Sequence, residues 1–169
     1  MRRAAAAALL AAFLIAAMLV ATRPATYAQE EGDLYLPLIA APAARIVIAA
    51  AHVDSVITGE PDEAILLWNA GARGQSLAGW QLATATRRAA FPMTATLTLQ
   101  PGQRLWCAAQ DAAFLSSFGE PAACAWAETS DPATLPLEGS LALNNRGGQI
   151  VLRDAQGKLV DALLYGDAS

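Results

Sequence analysis

From residue 45 onward the chain is a series of short apolar runs separated by glycine, proline and asparagine. The alternation is clearest in Thr94-Ala-Thr-Leu-Thr-Leu99, where Thr94, Thr96 and Thr98 share one face and Ala95, Leu97 and Leu99 the other, the period-two signature of a strand with one wet side. Arg45-Ile-Val-Ile-Ala-Ala50 predicts a first strand, with Ile46 and Ile48 on one face and Val47 on the other, and Val53 to Ile57 reads as its continuation across an irregularity. Glu63 to Thr84 predicts strand, turn and strand: Ile65 to Asn69, a reversal over Gly71 to Gly74, then Leu77 to Thr84 with Trp80 and Leu82, the two strands being antiparallel neighbours. Pro101-Gly102 is a turn signal, and Arg104 to Ala108 is the return strand. Leu141 and Leu143 lead into a turn at Asn145 to Gly148, followed by a strand over Gln149 to Arg153, a turn at Asp154 to Gly157, and a last strand over Lys158 to Tyr165.

The segment between Asp111 and Gly139 carries Pro121, Pro132 and Pro136 and no sustained period. Ala112 to Phe118 has room for one or two helical turns, and Phe114, Phe118 and Trp126 are read as a small satellite core. No helix longer than two turns is expected anywhere after the leader. The pattern therefore predicts an all-β chain, an immunoglobulin-like β-sandwich of about seven to nine short strands.

The first residues follow a different rule. Met1-Arg-Arg3 is basic, Ala4 to Val20 is an uncharged apolar run, and Thr26-Tyr-Ala28 ends on a small residue. This is the layout of a secretory signal peptide, residues 1–28, with cleavage after Ala28; a retained N-terminal anchor is the alternative. Residues 29–44 form a lead-in in which Pro37 and Pro42 oppose a central strand, residues 45–166 the sandwich domain, and 167–169 the C-terminal end. Once the signal is removed, no transmembrane segment is expected, and the location is secreted or extracytoplasmic, with cell-surface association.

Removal of the leader sharpens the charge. The full chain carries a formal −4, but three arginines precede Ala28 and every carboxylate follows it, which leaves eight basic against fifteen acidic residues, or −7. Nucleic acid is therefore not an expected partner, since binding a phosphate backbone depends on lysine and arginine displacing counterions, and no basic run beyond Arg87-Arg88 is visible. The two cysteines, Cys107 and Cys124, suit one disulfide in an oxidising compartment, stabilising by about 3 kcal/mol, with free thiols as the alternative.

With these landmarks in order, the chain resembles the lamin-tail domain family, immunoglobulin-like sandwiches found in nuclear lamins and in bacterial exported proteins. The resemblance rests on Ile46-Val-Ile48, Glu63 to Asn69 with Gly71 after it, Leu77-Ala-Gly-Trp-Gln-Leu82, Phe91, Leu99-Gln-Pro-Gly102, Leu143-Asn-Asn-Arg-Gly-Gly-Gln-Ile-Val-Leu152, Val160-Asp161 and Tyr165-Gly166. It covers about residues 45–166. The chain departs from the family where Thr84-Ala-Thr86 and Gly148 replace its usual acidic residues, and in a longer connection after Leu105. What the resemblance implies is a recognition or structural role with no catalytic machinery.

The candidate chemistry is sparse. There is no Gly-x-Ser-x-Gly, His-Glu-x-x-His or phosphate loop, so no enzyme activity and no cofactor are expected. His52 is the single histidine, with Asp54 its nearest acid in sequence. Glu60, Asp62 and Glu63 cluster at a turn and are the candidate ligands for a hard cation such as calcium. Trp68 and Trp126 are the candidate stacking residues for a carbohydrate, whereas Trp80 and Trp106 read as core. The function these features support is a noncatalytic exported module for protein or cell-envelope contacts. Its alternatives are a carbohydrate- or calcium-dependent binding module and a small hydrolase or nuclease. The free edges of its sheets are also sites for pairing with a second copy.

Overall fold

The structure, a computed structural model, describes residues 44–167. The signal segment 1–28, all but one residue of the lead-in 29–44, and the last two residues of the chain lie outside that range. In chain order the strands are β1 (Ile46–His52), β2 (Ala64–Asn69), β3 (Gln75–Ser76), β4 (Gln81–Ala83), β5 (Arg88–Ala90), β6 (Thr98–Leu99) and β7 (Arg104–Gln110). Helix α1 (Asp111–Phe118) follows, then β8 (Cys124–Glu128), β9 (Leu135–Pro136), β10 (Glu138–Ser140), β11 (Gly147–Arg153) and β12 (Leu159–Gly166). Nine of these strands have three residues or more, and the rest are two-residue ladders.

Two five-stranded sheets face each other, in the orders β1-β2-β7-β8-β9 and β10-β5-β4-β11-β12, with a β3-β6 ladder beside them. Each long strand turns alternate residues inward. Ile46, Ile65, Leu67 and Cys107 meet Leu82, Phe91, Ile150 and Leu152 in one core, all of them almost completely shielded from solvent. Burying each large side chain of this kind contributes about 1.5–3 kcal/mol, so the period-two pattern carries most of the fold. The fold is the β-sandwich that this pattern predicts.

The stretch from Glu63 to Thr84 is not a hairpin. Strand β2 pairs with β1 and β7, whereas β4 pairs with β5 and β11 in the opposite sheet. The connection crosses between sheets because fully buried Asn69 holds it in an open loop. The Asn69 Nδ2 donates to the carbonyls of Arg73 at 2.7 Å and Leu99 at 2.8 Å, and its Oδ1 accepts from the Gly71 N–H at 2.9 Å. Leu77 then drops into the core, and Gly79, at φ 73°, brings the chain back beneath Trp80.

Other expectations shift in detail. Strand β1 ends at His52, its irregularity lies between Ile48 and Ala50, and Val56 beyond it stands fully exposed. Only Thr98–Leu99 of the Thr94 stretch pairs as a strand, although its threonines are exposed and Leu99 is buried as the alternation requires. The irregular segment contains three short strands, β8, β9 and β10, that lack a readable period. Strand β8 runs parallel to β7, and parallel neighbours need a crossover, which α1 supplies. Cys107 and Cys124 sit opposite one another in that parallel pair, Cα atoms 4.4 Å apart, and their disulfide closes the crossover.

Helix α1 is tied at both ends. The Asp111 carboxylate accepts from the backbone N–H groups of Ala112, Ser130 and Asp131 and from the Ser130 hydroxyl, all at 2.7–3.0 Å. Burial alone would raise its pKa, but these bonds prevail and hold it down at about 2. At the other end Gly119, in the left-handed region at φ 73°, returns its N–H to the Leu115 carbonyl. On the far side of the sandwich the Ile48 N–H, freed by the bulge, donates to Asp161 Oδ2 at 2.7 Å and links edge strand β1 to edge strand β12.

Candidate functional site

The loop after β1 gathers most of the polar chemistry near one end of the first sheet. Gly59 and Glu60 both take left-handed backbone, at φ 84° and 52°, and the turn then delivers Asp62 and Glu63 beneath the sheet edge. Asp62 is almost fully buried. Its Oδ2 accepts from the Ser117 hydroxyl at 2.7 Å and lies 3.8 Å from His52 Nε2, while its Oδ1 has no partner among the described residues. Burial pushes the Asp62 carboxyl up, but the nearby Ser55 and Ser117 hydroxyls, its own backbone N–H and the neighbouring His52 ring leave it below the usual carboxylate range.

His52 therefore faces Asp62 rather than Asp54, and it rests edge-on against Phe118, ring centroids 5.0 Å apart. These three polar residues do not form a nucleophile with its base. The serine hydroxyl is spent on the carboxylate, and the imidazole meets the carboxylate rather than the hydroxyl.

The turn acids divide between two settings. Asp62 turns toward α1 and Ser117, whereas Glu60 and Glu63 line one recess of about 250 Å³ with Gln110, Trp126 and Leu143, and Glu60 also accepts from Asn145 Nδ2 across the loop. Burial raises the Glu63 carboxyl to about 7; a backbone hydrogen bond from Leu143 opposes the shift, and the neighbouring Glu60 and Asp62 add to it. Among the described residues no group of three or more histidine, cysteine, aspartate or glutamate side chains is arranged to hold a metal ion.

The tryptophans divide between core and surface. Trp126 is only 4% exposed and belongs to the main core, so its ring offers no open face. Trp80 is buried there as well. Trp106 is half-buried in a satellite cluster with Phe114, Ala64, Ala108 and Ala122, and Phe118 stacks against both rings, with centroids 6.3 Å from Trp106 and 4.6 Å from Phe114.

Trp68 is half-buried on the outer face of the first sheet, where it stands between Val47 on β1 and Arg104 on β7, with the Arg104 guanidinium 5.3 Å above its ring. The next row pairs Leu66 with Trp106. Helix α1 covers the following row, at Ala64 and Ala108, and leaves Val47, Leu66 and Trp68 as a half-buried apolar strip beyond it. The sequence carried a signal for this strip. In Ala64-Ile-Leu-Leu-Trp68 the residues out of phase with the core, Leu66 and Trp68, are apolar as well, which a sheet with one fully solvated face does not need.

The fold has a counterpart in a solved structure. A DUF4876 family protein from Bacteroides thetaiotaomicron superposes with a TM-score of 0.50 at 12% sequence identity, over 65% of the present chain. The chain spans 42% of that protein's length, so the likeness is one of fold. No curated protein matches the chain in sequence. The sequence profile of the Lamin Tail Domain family matches residues 39–167, the whole sandwich from before β1 to the end of β12. The chain belongs to the lamin-tail domain family.

Proposed function

We propose that this protein is a noncatalytic structural or interaction module that works outside the cytoplasm and makes protein or cell-envelope contacts through the outer face of its first sheet. The observation that carries the proposal is the half-buried apolar strip of Val47, Leu66, Trp68 and Trp106 on the outer face of the first sheet, because contiguous apolar surface on a small domain marks a contact site more often than decoration. The basic and apolar start of the chain supports export, and the buried disulfide suits an oxidising compartment. Separation of His52, Asp62 and Ser117 from any nucleophilic geometry supports a noncatalytic role.

The test is photo-crosslinking on the surface of the producing cell, with the protein in its native form. A partner crosslinked by the native protein and lost with Leu66→Lys, while circular dichroism is unchanged, is the expected result. Equal capture by both forms would move the contact elsewhere.

A second reading, binding of a carbohydrate, draws on the half-exposed ring of Trp68 alone, since Trp126 lies in the core. The calcium reading has less support, because Asp62 is held by Ser117 and leaves only Glu60 and Glu63 in a shared recess.

A further inference from the structure

At the end of β2 remote from Trp68, one recess carries two carboxylates and no cation. The end of β7 folds the preceding turn against the sheet there: the Ala109 N–H donates to the Glu63 carbonyl at 2.7 Å and the Gln110 N–H to that of Pro61 at 2.9 Å. The recess, about 250 Å³, is walled in part by Pro61, Ala127 and Leu143 and carries Glu60, Glu63 and Gln110. Glu63 is only 6% exposed. Among the described residues its carboxyl has one outside donor, the Leu143 N–H, and the side chain within hydrogen-bonding reach is Glu60, a second carboxyl. A carboxylate has room for about four donors, so Glu63 is left short in a place where water is largely excluded. Glu60 accepts from Asn145 Nδ2, and among the described residues no lysine, arginine or histidine lies within ion-pair distance of either acid.

We infer that this recess binds a primary ammonium on an unbranched aliphatic stem, that of a lysine or of a free alkylamine, with Glu60 and Glu63 sharing the charge and Pro61, Ala127 and Leu143 lying along the methylenes. Two neighbouring carboxylates without a counter-charge repel one another, and a cation between them removes the repulsion and supplies the missing donors. An ammonium is a compact charge whose diverging N–H groups suit acceptors that arrive separately, whereas a guanidinium fork suits a single carboxylate taken edge-on. Its methylene stem belongs against apolar wall, which is what the rest of the recess provides. Calcium, by contrast, asks for about six to eight oxygens. The site goes beyond the contact strip of the first sheet. None of Val47, Leu66 and Trp68 lines it, so its fate is independent of the Leu66→Lys experiment.

The test is an NMR titration of the whole protein with Nα-acetyl-lysine methylamide, butylamine, the norleucine and arginine counterparts of the lysine probe, and calcium. Saturable shifts of the Ala127 and Leu143 methyl resonances are expected with the lysine probe or butylamine, the tighter of the two identifying the source of the ammonium. The norleucine probe keeps the stem without the charge and should not bind. Glu60→Gln and Glu63→Gln should each weaken the lysine probe roughly tenfold. Asp154→Asn takes the same charge from the turn beyond the other end of β11 and should leave affinity within about twofold. A proton on Glu63 competes with the cation, so affinity should fall roughly tenfold from about pH 8 to about pH 6, and Glu63→Gln should abolish that fall. The ionisable groups beside Glu63 are Glu60 and Asp62, and β7, β8 and the 141–143 segment bring none to the recess. The inference is overturned if the norleucine probe binds as well as lysine, if arginine or calcium binds more tightly than both amines, if Asp154→Asn loses as much as Glu63→Gln, if the pH dependence survives in Glu63→Gln, or if nothing binds.

Discussion

Two single residues illustrate how much of this fold is decided by polar groups taken out of water. Asn69 is completely buried and uses both ends of its amide to hold the crossing loop. Asn69→Ala would strand the Arg73 and Leu99 carbonyls and the Gly71 N–H, and a loss of about 2–4 kcal/mol is expected in urea unfolding. Glu63 presents the opposite case, a carboxyl buried with too little to favour its charge. Its pKa rises from an ordinary 4.5 to about 7, so the folded state holds a proton that the unfolded chain releases earlier. The stabilising contribution is complete below pH 4.5 and is lost as pH climbs through 7, on the order of 3 kcal/mol over the interval. Glu63→Gln should flatten this decline in a series of denaturation midpoints between those values. An undiminished decline in the variant would assign it to another group. The sequence shows Glu63 only as one of three acids at a turn, because burial is a property of what packs over a residue.

At the scale of elements, the irregular segment after β7 is held by ties rather than by period. Helix α1 has eight residues, too few to be stable alone, and it persists because Asp111 collects four donors at one end and Phe114 is buried at the other face. Asp111, at about 2, titrates in the opposite sense to Glu63: its contribution is present above pH 3.8 and disappears as pH falls through 2. Asp111→Asn should cost on the order of 2 kcal/mol near neutrality and remove that acid limb of the stability profile. Together the two groups place maximum stability between about pH 4 and 5, where Glu63 still holds its proton and Asp111 has released its own. The paired sheet edges give a further expectation. Asp161→Ala frees the Ile48 N–H and should cost about 1–2 kcal/mol, with faster amide exchange confined to β1 and β12.

For the whole molecule, the strongly alternating strands were legible from the sequence: β1, β2, β7, β11 and β12 fall where their apolar periods put them. The Gln100-Pro-Gly-Gln103 and Asp154 to Gly157 turns are likewise where their residue types require, with the Gln103 N–H on the Gln100 carbonyl and the Gly157 N–H on that of Asp154. Strands β8 to β10 were not legible, since a strand of two to five residues among prolines is fixed by the neighbour it pairs with. Local pattern states which residues seek burial, and for this protein that was enough to determine a β-sandwich and to set the cysteine-bearing segment after β7 apart as an irregular excursion, while the ordered motifs within the strands carried the resemblance to the lamin-tail family. Pattern does not state which strand lies beside which. Only the tertiary structure decided that the Trp68 and Trp80 strands belong to opposite sheets, that His52 meets Asp62, and that Trp126 is enclosed while Trp68 is half open. Pairing across long loops is a choice among many arrangements of similar local energy, and the packed core and satisfied polar groups of the whole fold make that choice.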